Sequence, residues 1–146
     1  MTSISRQLDV PYSAAQMYAL VNDVASYPEF VPWCKSVTIH QENAHAMRAS
    51  LVIEWQGAQS SVTTENKLVE NQSITMNLIQ GMVKHLSGEW QFIAKNEQGC
   101  TVKLAINLKF NNRLIGFVFT KVAQEVLNRI TTAFVERAQF LYEKTL

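Results

Sequence analysis

The chain has 146 residues, of which 47% are hydrophobic and 17% charged, and its formal net charge is +1. A chain of this length and composition forms one folded domain with a substantial core, so disorder is excluded as its overall state. The small net charge provides no whole-chain attraction for nucleic acid, and DNA is not expected as a partner.

The N-terminal region predicts a strand, a helix and an irregular apolar segment. Apolar and polar residues alternate over residues 3–10, which is typical of a strand with one wet face. Ser13 and Gln16 have the spacing of a capping box, so a helix is predicted to begin there. Pro28 fits the first turn of a helix and Pro32 ends one, which predicts a short helical turn followed by a loop.

From residue 35 onward the apolar pattern has a period of two and predicts six consecutive strands. The predicted turns lie at residues 42–45, Gly57, Asn71-Gln72, Gly81 and Glu97-Gln98-Gly99. Strands joined by such short turns indicate an antiparallel meander rather than alternating strand and helix units. The strand at residues 60–68 is polar on both faces, so one face is expected to line something wetter than a core.

Residues 114–142 predict a long amphipathic helix, on the order of 40 Å in length. At ~100° per residue, one broad arc of it is apolar. This arc comprises Ile115, Val118, Phe119, Val122, Val126, Ile130, Ala133, Phe134, Phe140 and Leu141. Arg137 falls inside the arc, where a charge is costly unless it is paired. An antiparallel sheet wrapped round this helix satisfies the apolar faces and gives an α+β fold.

Features that direct a chain to membranes, metals or oxidising compartments are not found in the sequence. Cys34 and Cys100 lie far apart in apolar surroundings, without a Cys/His cluster, so we expect two buried free thiols and no metal site. The N-terminus lacks the pattern of a signal peptide, and no apolar stretch approaches the ~20 residues of a membrane span. We therefore expect one cytoplasmic domain over residues 1–146.

Three stretches of the sequence resemble one known family. Residues 10–34, VPYSAAQMYALVNDVASYPEFVPWC, resemble the start of the coenzyme Q-binding and ribosome-association-toxin (RatA) branch of the START-like superfamily. Residues 81–92 resemble its G-P-F-x-x-L-x-G-x-W-x-F segment, with Met-Val in place of Pro-Phe, and residues 133–138 resemble its A-F-x-x-R-A. Trp33 is similar to the mitochondrial coenzyme Q members, whereas bacterial toxin-type members often have glycine there.

The resemblance implies a helix-grip fold, in which a seven-stranded antiparallel sheet curves round a long C-terminal helix and leaves a lipophilic cavity between them. It implies a protein that binds ubiquinone or a similar isoprenoid as a carrier or chaperone supporting respiration. The alternative that it implies is a toxin that binds the large ribosomal subunit and inhibits translation initiation. No cofactor other than the bound lipid is expected, and transient contact with a membrane surface stays open.

Candidate ligand contacts come from the helix, the sheet and an entrance lid. The helix candidates are Ile115, Phe119, Val122 and Val126, the sheet candidates are Met76, Leu78, Leu104 and Ile106, and the lid candidates are Tyr27, Phe30, Val31 and Trp33. Plain core packing is the alternative for each group. For ribosome binding, a modest basic patch is predicted from Lys103, Lys109, Arg113 and Lys121.

Arg137 has two interpretations. In the first, it pairs internally with a sheet carboxylate, Glu65 or Glu54, or with a ligand carbonyl such as a quinone oxygen. In the second, it extends past the helix end into water.

Catalytic motifs are not found in the sequence. His40, His45 and His85 are expected to be solvated or structural, and no nucleophile, metalloprotease or phosphate-loop signature occurs. We therefore do not expect an enzyme.

Overall fold

A computed structural model describes residues 2–96 and 99–143 of the chain. Its elements are β1 (Thr2–Val10), α1 (Ala14–Asn22), a 3-10 helix (Val24–Glu29), β2 (Cys34–Glu42), β3 (Ala46–Trp55), β4 (Ala58–Val69), β5 (Ser73–Gly81), β6 (Val83–Ala94), β7 (Cys100–Phe110) and α2 (Arg113–Tyr142). The predicted order of elements is confirmed. The part of the predicted turn formed by Glu97 and Gln98 lies outside the described residues.

The strands form one seven-stranded antiparallel sheet in the order β1-β7-β6-β5-β4-β3-β2, as the helix-grip fold requires. Strands β2 to β7 form the predicted meander, and β1 closes it by pairing with β7. Because side chains alternate along each strand, the sheet has an inner face toward the helices and an outer face toward solvent.

The predicted capping box at the start of α1 is confirmed. The Ser13 N–H donates to Gln16 Oε1 at 2.9 Å, and the Gln16 N–H donates to Ser13 Oγ at 3.0 Å. Pro28, however, lies near the C-terminal end of the 3-10 helix and not in its first turn. The 3-10 helix accommodates it there because the N–H groups of Ser26 and Phe30 supply the hydrogen bonds on either side.

The helix α2 spans the predicted residues, but its buried face differs from the predicted arc. Ile115, Val118 and Phe140 are exposed, whereas the buried residues on this helix are Ala123, Leu127, Thr131, Phe134 and Ala138. The buried line is centred roughly 100° round the helix from the centre of the predicted arc, and Phe134 is the residue that the two share. Small side chains such as Ala123 and Ala138 let the helix backbone approach the sheet closely. The predicted arc was chosen from the large apolar side chains of the helix, and it therefore gave the wrong contact face.

Phe134 is the centre of an aromatic cluster that joins α2 to the rest of the fold. Its side chain is 2% exposed, and its ring centroid lies 5.0 Å from Trp90 of β6, 5.1 Å from Phe30 and 5.3 Å from Tyr27. All three contacts are edge-to-face, the arrangement that ring quadrupoles favour. The cluster therefore fixes the C-terminal half of α2 against both the sheet and the segment that follows α1.

Arg6 of β1 holds the middle of α2 against the sheet through three hydrogen bonds. Its Nη1 donates to Thr131 Oγ1 at 2.6 Å, to the Asn128 carbonyl oxygen at 2.7 Å and to Thr132 Oγ1 at 2.9 Å. Nearer its N-terminus, α2 packs through Phe119, whose ring centroid lies 5.1 Å from that of Phe110. In the described part of the chain, the C-terminal half of α2 therefore has three aromatic contacts through Phe134, whereas its first turns have one aromatic contact, through Phe119.

We expect Phe134→Ala to lower the free energy of unfolding by about 3–5 kcal/mol, because it opens a cavity where three rings converge. Phe140→Ala is the matched control on the same helix: Phe140 is 67% exposed, and its loss should cost less than about 1 kcal/mol. Denaturant unfolding monitored by circular dichroism measures both. Equal losses for the two variants would contradict the assignment of Phe134 as the anchor.

Candidate functional site

A pocket of about 210 Å³ opens between α2 and the loop that leads into β2. The residues that line it are Trp33, Trp55, Val122, Glu125, Val126 and Arg129. Three of them, Trp33, Val122 and Val126, are predicted ligand contacts, whereas the sequence analysis did not identify Trp55, Glu125 and Arg129. This pocket lies between α2, the loop before β2 and the end of β3, and we call it the mouth pocket.

Two tryptophans form one wall of the mouth pocket. The ring centroids of Trp33 and Trp55 lie 4.9 Å apart, and the Glu54 N–H donates to the Trp33 carbonyl oxygen at 2.9 Å. Trp33 has a φ of 66°, in the left-handed region, which costs a residue other than glycine about 1–2 kcal/mol. Glycine, common at this position in the resembled toxin-type members, adopts that conformation without strain. The strain here holds an aromatic ring at the mouth.

Two charged residues of α2, Glu125 and Arg129, form the polar rim of the mouth pocket. Arg129 Nη2 lies 3.0 Å from Glu125 Oε1, one helical turn away, and both side chains are exposed. On the outer face of the sheet, outside the lining of the pocket, Glu54 accepts from Gln59 at 2.9 Å and pairs with Lys35 at 3.4 Å. The hydrogen bond from Gln59 and the ammonium of Lys35 lower the pKa of the Glu54 carboxyl. The exposed Glu125–Arg129 pair at this rim suits an apolar ligand that has one polar end.

The predicted sheet contacts lie on the inner face but in two different environments. Met76, Leu78 and Ile106 are half-buried, whereas Leu104 is fully buried within the packed core. Gly88, between Met76 and Ile106 in the strand register, gives Met76 room, because a Cβ there would lie 2.8 Å from Met76 Cε. Met76 and Ile106 pack against the core, and none of the predicted sheet contacts lines the mouth pocket.

Two polar side chains are buried on the inner face of β4. Thr64 Oγ1 donates to Asn66 Oδ1 at 3.0 Å, while the strand neighbours of Asn66 are Met47 and Met76. Among the described residues, Asn66 Nδ2 has no hydrogen-bond partner. One face of this strand was predicted to line something wetter than a core; in the structure its two inward polar groups are buried between Val62 and Leu68. An amide donor in apolar surroundings favours a ligand that offers a carbonyl acceptor.

The predicted lid residues divide between the packed core and the mouth pocket. Tyr27 and Phe30 pack on Phe134, and Tyr27 Oη donates to the Val21 carbonyl oxygen. Burial, with smaller contributions from Cys34 and Asp23, raises the pKa of the Tyr27 phenol well above its usual range. Val31 is half-buried and packs against the same core. Trp33 is therefore the lid candidate that reaches the mouth pocket.

The helix candidates also divide between two locations. Val122 and Val126 line the mouth pocket. Phe119 packs on Phe110, and Ile115 is exposed at the N-terminal end of α2.

Arg137 forms an ion pair, but not with the predicted carboxylates. Its Nη2 lies 3.2 Å from Glu29 Oε1, and its guanidinium lies over the rings of Phe30, at 5.1 Å, and Phe140, at 5.2 Å. The side chain is 17% exposed, and its buried Nε has no hydrogen-bond partner among the described residues. Arg137 therefore joins α2 to the 3-10 helix rather than extending into water.

The predicted partners Glu54 and Glu65 are wrong because both lie on the outer face of the sheet. Glu54 pairs with Lys35 at 3.4 Å, and Glu65 pairs with Arg48 at 3.2 Å. The alternation of residues along a strand predicts which side chains share a face of the sheet. It does not predict that the carboxylate of Glu29, in the 3-10 helix, lies beside Arg137.

A larger groove, of about 490 Å³, lies at the other end of β3, where two turns and the end of α1 meet. Its lining residues are Tyr18, Ala19, Asn22, Asp23, Glu42, Asn43, Ala44, Glu70 and Asn71. Its acidic and amide lining suits an apolar ligand less well than the aromatic mouth pocket does. The sequence analysis did not identify it, because its residues come together only in the folded chain.

Comparisons with known proteins agree with this architecture. A family model described as polyketide cyclase / dehydrase and lipid transport matches residues 10–135. The chain is 40% identical over 142 residues to the ribosome association toxin RatA of Escherichia coli strain K12, covering 97% of this chain and 90% of that protein. It is 22% identical over 134 residues to the mitochondrial coenzyme Q-binding protein COQ10 of Drosophila melanogaster, covering 89% of this chain and 55% of that protein.

A solved structure shows the same fold. The START superfamily protein from Mycobacterium smegmatis matches with a TM-score of 0.85 at 20% identity, covering 97% of this chain and 99% of that one. Within the described part of the chain, neither helix has the length and apolar character needed to cross a membrane.

We expect Arg137→Leu to lower the free energy of unfolding by about 1–2 kcal/mol, because Phe30 loses a cation stacked on its ring and Glu29 loses its partner. Glu29→Gln is the control: the Glu29 side chain is 62% exposed, so this change should cost no more than about 0.5 kcal/mol. Urea unfolding distinguishes the two. An unchanged midpoint for Arg137→Leu would show that the residue does not join the two elements.

Proposed function

Because the chain belongs to the polyketide cyclase / dehydrase and lipid transport family, as a START-like domain related to RatA and coenzyme Q-binding proteins, we propose that it binds a lipophilic isoprenoid. The proposed ligand is a quinone such as ubiquinone, held between α2 and the inner face of the sheet. The proposed role is that of a carrier or chaperone that supports respiration. We propose no catalytic activity: the relatives' names describe a toxin and a binding protein, although the family description includes cyclases and dehydrases.

The observation that carries this proposal is the polar pair Thr64 and Asn66 among apolar side chains on the inner sheet face. A quinone has carbonyl oxygens on an otherwise apolar head and tail. The Thr64 hydroxyl occupies Asn66 Oδ1 and leaves the amide nitrogen to donate to such a carbonyl. The half-buried side chains of Met76, Leu78 and Ile106 supply apolar surface beside it.

The mouth pocket supports the same proposal. Trp33 and Trp55 form an aromatic wall, and Val122 and Val126 form an apolar wall opposite. An isoprenoid tail buries apolar surface against such walls, which stabilises the complex by ~25 cal/mol for each Å² removed from water.

Quinone binding can be tested by tryptophan fluorescence. Trp33 and Trp55 line the mouth pocket and should be quenched by added ubiquinone analogue, whereas Trp90 is buried in the core. We expect Asn66→Leu to weaken quinone binding about tenfold, because one hydrogen bond to a carbonyl is lost. Binding of an alkyl ligand without carbonyls should be unchanged.

The matched control is Asn77→Leu, because Asn77 is exposed on the outer face of the neighbouring strand β5. Mass spectrometry of an organic-solvent extract of the purified protein provides an independent measurement. No extracted quinone, together with no quenching of Trp33 and Trp55, would overturn the proposal.

A second function, association with the large ribosomal subunit, is favoured by the 40% identity to RatA over 97% of this chain. We propose that it uses the protein surface, so that it is compatible with a ligand held inside. Lys103, Lys109, Arg113 and Lys121 are all exposed and available for phosphate contacts. A ribosomal partner would also agree with the cytoplasmic location expected from the sequence.

Sedimentation through a sucrose gradient with purified large subunits tests this second function. We expect co-sedimentation at low salt that falls steeply as salt rises, and that Lys103→Gln with Lys109→Gln weakens it. Lys67→Gln, on an exposed position of β4, is the control. A protein that stays at the top of the gradient at low salt is not a ribosome binder.

A further inference from the structure

The first turns of α2 are apolar on nearly every side. Gly116, Phe119 and Ala123 face the fold, as expected for an amphipathic helix. The outward side should then be polar, but it carries five exposed apolar residues, Leu114, Ile115, Phe117, Val118 and Val122. We call these five residues the α2 face. A cluster of large exposed apolar groups on one helix end marks an interaction surface.

Positive charge surrounds the α2 face, and the nearest acid in the sequence, Glu125, is paired with Arg129 at 3.0 Å. Residues 109–124 include Lys109, Arg113 and Lys121 and contain no Asp or Glu. Lys121 lies with its Nζ 4.6 Å from the ring centroid of Phe117, so cation and apolar surface are presented together. A partner that covers this end of the helix therefore offers negative charge together with an apolar phase.

The α2 face is continuous with the mouth pocket. Val122 belongs to both, and Val126 continues the same side of the helix one turn further on. Ile115, Val118 and Val122 follow one another along this side at helical spacing. A lipophilic molecule that leaves a bilayer beside the α2 face can enter the mouth pocket without crossing water.

From these three observations we propose that the α2 face docks on the surface of an anionic lipid bilayer. The apolar side chains insert at the level of the headgroups, while Arg113 and Lys121 contact the lipid phosphates. The inference goes beyond the proposed function and holds for any lipophilic ligand, because it depends on the surface of α2 and not on the identity of the molecule inside.

Two other occupants fit the α2 face less well. An RNA backbone recognises cations, but it gives no reason to expose Leu114 and Phe117, which phosphates do not contact favourably. A second copy of the chain would bring Arg113 and Lys121 of two molecules close together, and the nearest acid, Glu125, is already paired with Arg129. A bilayer of anionic lipid satisfies both the charge and the apolar area.

Vesicle flotation with the full-length protein tests the proposal. The probes are vesicles of phosphatidylglycerol mixed with phosphatidylethanolamine, and vesicles of phosphatidylcholine alone. We expect binding to the anionic vesicles, weakened about fivefold by either Arg113→Gln or Lys121→Gln. The double variant Ile115→Ser/Phe117→Ser should weaken binding at least about tenfold, because its apolar insertion is lost.

The matched control is Ile93→Ser, because Ile93 is 49% exposed and Ile115 is 53% exposed, yet Ile93 lies near the far end of β6. This variant should float as the unaltered protein does, and equal thermal unfolding midpoints show that all variants fold. The proposal is overturned if the unaltered protein does not float with anionic vesicles, or if Ile93→Ser loses as much binding as the double variant.

Size-exclusion chromatography adds a second discriminating measurement. A monomer for both the unaltered protein and the Ile115→Ser/Phe117→Ser variant supports the bilayer proposal. A dimer that the double variant dissociates would assign the α2 face to self-association and overturn it. Because these readouts use no quinone, their failure is distinguishable from failure of the proposed ligand.

Discussion

The fold depends on the packing of Phe134 between the sheet and the segment after α1. Its contacts with Trp90, Phe30 and Tyr27 join three parts of the chain that are far apart in sequence. Because the anchor lies in the C-terminal half of α2, that half closes the domain, whereas the first turns of the helix expose large apolar side chains. The position of one ring along the helix thus separates a firmly packed end from an end that is open to solvent.

Elements were more predictable from the sequence than faces and partners. The strands and their order follow from alternation and short turns, and the capping box at Ser13 locates the start of α1. The buried side of α2 does not follow, because Ala123 and Thr131 make the close contact and carry little hydrophobic signal. The partner of Arg137 does not follow either, since Glu29 is brought to it by the path of the 3-10 helix and not by any pattern along the chain.

The candidate site shows the same division. Local composition identified Trp33 and the unusual polarity of β4, and both take part in the space between helix and sheet. Trp55 lies at the end of β3, and its contact with Trp33 depends on how the loop after the 3-10 helix returns to the sheet. Interior and surface carry separate signals in the sequence, and Val122, which lines the mouth pocket and belongs to the α2 face, is where the two meet.

The left-handed backbone at Trp33 has a consequence for how the mouth can vary among related proteins. At this position glycine relaxes the backbone and removes a wall, whereas tryptophan strains the backbone and supplies the wall. The codon for tryptophan, TGG, becomes the glycine codon GGG by changing a single nucleotide. The width of the entrance can therefore change in one mutational step. The relief of backbone strain at glycine offsets part of the packing energy that is lost with the tryptophan ring.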